Sequence, residues 1–148
     1  MPTPLRAVTP SSVEPACAAA PRRRDLGERL APLCRALAET QLRPRNVRLM
    51  VSADPAPMEA GRCWLAGLIM GRLVEDIGRE AFGGRGGRIL IEVAAHGGEV
   101  WCCITNDGDP GAAPRGGGLV RTLLAELGGT IEWRAATRGS AAVVRFPG

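Results

Sequence analysis

Apolar residues return every third or fourth position in three stretches of the chain, and other runs of apolar and β-branched residues are short and bounded by turn formers. The stretch Asp25–Thr40 sets Leu26, Leu30, Leu33 and Leu37 at helical spacing behind Asp25 and Glu28, which are placed like a capping box. Pro32 inside it predicts either a kink or a later true start. A longer helix is predicted over roughly Glu59–Phe82, where Leu65, Ile69, Leu73 and Ile77 recur every four residues until the glycines of 83–87 break it. A third, 119–127, stops at Gly128 and Gly129. Strand periodicity marks 46–53, where Val47, Leu49 and Val51 alternate with Arg48, Met50 and Ser52. Two further pairs of runs read as hairpins, 88–95 with 99–105 through His96-Gly97-Gly98, and 130–135 with 141–147 through 137–140.

The order is helix, strand, long helix, two strands, loop, helix, two strands. Short hairpin links forbid parallel crossovers where they occur, so the fold class is α+β. The expected architecture is a two-layer sandwich, with a mixed, mostly antiparallel sheet covered by helices on one face.

Composition narrows the chemistry. The chain has 148 residues, enough for one domain with its own core. Residues 1–24, rich in Pro, Ala, Ser and Thr, read as a flexible basic tail, leaving 25–148 as the domain. The net charge is +4, but the tail holds Arg6, Arg22, Arg23 and Arg24 against Glu14 and so carries three of the four charges. With so little excess charge on the domain, and only two Phe and three Trp, a nucleic-acid surface is not expected. Every basic residue is arginine, which excludes a P-loop lysine and Schiff-base chemistry. The five cysteines show no CxxC spacing and read as reduced thiols. No apolar run is long enough to span a bilayer and no secretory leader is legible, so a cytoplasmic location and no membrane partner are expected.

The connection from Ile104 to Val120 contains five glycines, Asp107, Asp109, Pro110 and Pro114. A loop this long inside a compact domain is more often functional than idle. By residue type alone, Asn106-Asp107-Gly108-Asp109-Pro110 is equally a turn.

Taken together, the element order and the stretches 65–82, 100–111 and 116–135 resemble the ATP-binding catalytic domain of sensor histidine kinases. This is the GHKL or Bergerat ATPase fold, and the likeness is greatest to the blue-light and HWE-like subgroup. The most specific piece is Leu124-Ala125-Glu126-Leu127-Gly128-Gly129-Thr130-Ile131-Glu132-Trp133. The resemblance implies ATP and magnesium as cofactors. It places Gly71, Arg72 and Asp76 at the polar, glutamate and asparagine positions of the family's N-box helix. Asp76 keeps a magnesium-ligating oxygen and is the candidate metal ligand. Arg72 reverses the sign of the glutamate and cannot act as a base, so no catalytic residue is assigned. Asn106 stands at the aspartate that accepts the adenine amino hydrogen bond, Gly108 at the first glycine of that motif and Pro110 at the second. Gly116 and Gly118 stand at the glycines of the lid hinge.

The resemblance thus implies a stand-alone histidine-kinase-like ATPase domain, or pseudokinase, with an eroded nucleotide site. It would act in bacterial two-component signalling by binding a signalling partner: a kinase, a response regulator or an anti-sigma-type system. The alternatives are an active small GHKL protein kinase that phosphorylates a partner in trans, and a histidine phosphotransferase relic. The one histidine, His96, falls in a predicted turn and so is not expected to be a phosphoacceptor. The apolar stripe of the first helix is the expected docking surface.

Overall fold

The computed structural model describes residues 22–112 and 117–148. Strand β1 (Arg23–Asp25) leads directly into α1 (Leu26–Leu37). Asp25 is extended (φ −88°, ψ 130°) and its carboxylate accepts from the Glu28 N–H, so the predicted N-cap is in place. Pro32 lies inside α1 on its exposed side and marks neither a start nor an end. The chain then widens into a π-turn (Ala38–Leu42) and tightens into a 3-10 turn (Arg43–Arg45) closed by left-handed Asn46. Next come β2 (Val47–Ala53), β3 (Pro57–Glu59) and the central helix α2 (Ala60–Glu80). After them follow β4 (Gly87–His96), β5 (Glu99–Asn106), a 3-10 turn (Pro110–Ala112), α3 (Gly118–Leu127), β6 (Thr130–Ala135) and β7 (Ser140–Pro147).

Five strands form one sheet in the order β2-β4-β5-β7-β6. All neighbours are antiparallel except β2 and β4, which run parallel from Val47 opposite Gly87. That exception follows from connectivity, because the chain crosses between these strands by way of α2. One face of the sheet supplies Ile89, Ile91, Val93, Val100, Cys102, Ile104, Ala142, Val144 and Phe146 to a single core shared with Leu26 and Leu30 of α1 and Ile69, Leu73 and Ile77 of α2. The expected two-layer α+β sandwich is therefore the fold.

Two features differ from the sequence reading. Arg23 and Arg24, assigned to the tail, belong to β1, which pairs antiparallel with β3 in a separate two-stranded ribbon. Strands of three residues are too short to show a period, and the buried Met58 at the ribbon's centre is its only apolar signal. The stripe of α1 is also not free for a partner, since Leu26, Leu30, Cys34 and Leu37 are buried.

Helix α2 receives α1 and the π-turn after it along a seam of glycines. A Cβ on Gly67 would meet the Arg29 side chain at 3.2 Å, one on Gly71 would meet Leu33 at 3.1 Å, and one on Gly78 would meet Leu42 at 2.5 Å. Gly71, at the N-box position where a polar group was sought, thus makes room for α1.

Cys34, Cys63 and Cys102 are buried free thiols and Cys103 is half-buried; Cys17 lies outside the described residues. Burial pushes the Cys34 thiol up to about 11 and the Cys102 thiol up to about 12, the latter with a smaller push from Cys103. Among the described residues, no helix is long and apolar enough to cross a membrane.

Candidate functional site

Asp76 sits in the last turns of α2. That helix begins at Ala60 because Glu59 stays extended and its carboxylate caps the N–H groups of Gly61 and Arg62. Asp76 is only 7% exposed, and two arginines of its own helix answer its charge. Arg79, three residues on, donates to Oδ1, and Arg72, four residues back, brings Nε to 3.5 Å from the same oxygen. Both arginine side chains remain nearly half exposed. The cluster therefore carries one net positive charge; both arginines meet Oδ1, and a magnesium ion approaching Asp76 would face the repulsion of two guanidinium groups. Among the described residues, no group of three or more His, Cys, Asp or Glu side chains is gathered as a metal site.

Asn106 ends β5, pointing inward in step with Cys102 and Ile104, and is 7% exposed. Its amide nitrogen donates to Ser140 Oγ at 3.0 Å, and its side-chain oxygen accepts from the Gly108 N–H at 2.9 Å. Gly139, at φ 81°, lies so close to the Asn106 carbonyl that any side chain there would overlap it. The side chain expected to meet adenine is thus hydrogen-bonded within the fold. Asp107 points elsewhere, as strand alternation predicts, and its carboxylate accepts from the Arg88 N–H at 2.7 Å.

Gly108 is pressed against the end of α2. A Cβ there would overlap the Ala81 carbonyl oxygen and approach its carbon to 2.9 Å, while the next residue, Asp109, donates its N–H to that same oxygen at 2.6 Å. The loop after β5 is thereby fastened to the C-terminal end of α2, five residues beyond Asp76. Gly118 is the first residue of α3 behind an extended Gly117 that offers no side-chain cap, and space around both is open. Gly116 lies outside the described residues.

A cavity of about 600 Å³ opens between the α2–β4 loop, the β5–α3 loop and the β6–β7 turn. Phe82, Arg85, Asp107, Gly108, Asp109 and Arg138 are among its walls. Gly108 therefore belongs both to this cavity and to the Asn106 hydrogen-bond group, whereas Asp76 and Asn106 are not among the lining residues. The side chains that occupy the two key groups, Arg79 and Ser140, were not singled out from the sequence. Helical spacing puts Arg79 within reach of Asp76, and alternation from Phe146 back through Val144 and Ala142 puts Ser140 on the inner face. In this arrangement Asp76 Oδ1 is shared by two arginines, and the Asn106 side chain is turned into the fold.

No family model matches the chain, and no curated protein matches it. Solved structures do. The histidine kinase domain of an Erythrobacter litoralis blue-light activated histidine kinase superposes with a TM-score of 0.71 at 19% identity, over 83% of this chain and 61% of that one. The catalytic domain of histidine kinase ThkA gives a TM-score of 0.66 at 20% identity, over 86% of this chain and 95% of that one. A histidine kinase from Burkholderia phymatum gives 0.67 at 14% identity, over 99% and 80%. The chain thus spans about three fifths of the Erythrobacter kinase domain and nearly all of the isolated ThkA catalytic domain. At these identities the likeness establishes a shared fold, that of histidine kinase catalytic domains.

Proposed function

We propose that this chain is a histidine-kinase-like ATP-binding domain whose grip on the nucleotide is eroded, and that it works in bacterial two-component signalling by binding a protein partner. The observation that carries the reading is the Arg72–Asp76–Arg79 cluster. At the position corresponding to the family's magnesium-holding asparagine, a carboxylate is bound by two cations of its own helix. Asn106 supports the same reading, because Ser140 and Gly108 take its hydrogen-bonding groups. His96 ends β4 on an exposed hairpin beside Gly97 and Gly98 rather than on a helix, which speaks against it as a phosphoacceptor.

Calorimetric titration with ATP and magnesium tests the proposal. The wild-type chain is expected to bind more weakly than millimolar. Restoring the family pattern with Arg72→Glu and Asp76→Asn together is expected to tighten binding by about tenfold or more, roughly 1.4 kcal/mol. Magnesium-dependent, sub-millimolar binding by the wild type that disappears in Asp76→Ala and in Asn106→Ala would overturn the proposal in favour of an active kinase acting in trans.

A further inference from the structure

Helices α1 and α2 leave two large apolar side chains outside the core. Trp64 is 54% exposed and Leu68 is 36% exposed, and the two stand one turn apart on α2. Beside Trp64 a second cavity, about 550 Å³, is bounded by Arg24 and Asp25 from β1, Glu28 and Arg29 from α1, and Cys63 from α2. An indole half in water next to a concavity is the usual form of an interface anchor.

The charges around this hollow argue for a particular occupant. Asp25 is already used, since one carboxylate oxygen accepts from the Glu28 N–H and the other from the Ala56 N–H. Among the described residues, no ion pair engages Arg24, Glu28 or Arg29. The Arg29 Nε is buried without a hydrogen-bond partner, an expensive state for a charged donor. Counting Asp25, the lining carries two positive and two negative groups, so an acidic peptide or an anionic membrane gains little from it. A surface that offers both signs around one aromatic residue allows a two-fold axis to set acid against base twice, because a contact of i with j is then repeated as j with i.

We propose that the α1–α2 face is a self-association surface whose occupant is a second copy of this chain. Trp64 packs at the centre, and Glu28 of each copy meets the Arg24 and Arg29 side chains of the other. This inference is independent of whether nucleotide is bound.

Sedimentation velocity over a concentration series is the test. The wild type is expected to move from monomer toward dimer as concentration rises, and Trp64→Glu is expected to stay monomeric throughout. Glu28→Arg leaves three basic groups against Asp25 alone, while Arg24→Glu with Arg29→Glu makes the lining wholly acidic. Each variant alone is expected to stay monomeric, and an equimolar mixture is expected to form a heterodimer. Circular dichroism melts establish that each variant is folded. If the double variant does not fold, Arg24→Glu alone serves as the acidic arm, because the Arg29 stem also packs against Gly67. A wild type that is monomeric at every concentration, or folded charge variants that fail to associate on mixing, would overturn the proposal.

Discussion

Replacing Gly108 by alanine separates two reasons for a glycine in the loop after β5. If that glycine served a phosphate, the change would weaken nucleotide binding and leave the fold alone. The structure gives it a different task. The new Cβ would overlap the carbonyl group of Ala81, which is backbone at the end of a packed helix and cannot swing aside. Overpacking of this kind costs about 1–3 kcal/mol. Moving the loop to relieve it would break the hydrogen bond from the Asp109 N–H to Ala81, adding about 0.5–1.5 kcal/mol. The sum, about 1.5–4.5 kcal/mol, corresponds to a fall in Tm of roughly 5–20 °C for a domain of this size. Gly118→Ala is the control: nothing among the described residues lies within 4 Å of its would-be Cβ, and alanine in place of glycine gains up to about 1 kcal/mol in a helix interior and less at this first position. Thermal melts without nucleotide should therefore move in opposite directions for the same substitution at two candidate-site glycines. An unchanged Tm in Gly108→Ala would refute the packing argument.

Two further outcomes are expected. Leu73 is fully buried at the centre of α2, so Leu73→Asp would place an unpaired carboxylate in the core and should abolish the cooperative melt; a sharp transition in that variant would contradict the placement of the helix. Cys102 has a folded pKa of about 12 against an ordinary 9.0, so its contribution to stability is whole below pH 9 and is lost as pH rises through 12. Denaturant titrations should then show Cys102→Val losing less stability than the wild type between pH 9 and 12, and parallel pH profiles would contradict that assignment.

The fold was legible where periodicity ran long enough to show. Twenty-one residues of α2 and the two hairpins repeat their patterns several times, and the glycine stops lie where the backbone turns left-handed, as at Gly128 with φ 68°. The ribbon of β1 and β3 was not legible, because three residues hold no period and the evidence for pairing lies 34 positions away, between Arg23 and the Pro57 carbonyl. Of the candidate residues, the sequence indicated positions and not partners. Asp76 and Asn106 were named from position, yet what each can do is decided by Arg79 on the next turn and by Ser140 two strands of chain later. Gly71 shows the same limit from the other side. A missing polar group in one pattern is a point of helix contact in another, and only the position of Leu33 tells which applies.

The lone parallel pairing in the sheet has a consequence for the order in which the molecule is made. Among the described residues strand β2 has β4 as its only sheet neighbour, and the first residue of that neighbour follows forty positions later, Val47 against Gly87. During synthesis, α1, β2 and α2 all leave the ribosome before the strand that must hold β2 exists, whereas β4 and β5 can close on each other across two glycines at once. The nascent chain therefore carries an unpaired strand edge through the whole translation of its central helix, the interval in which a chaperone has most to gain by holding it.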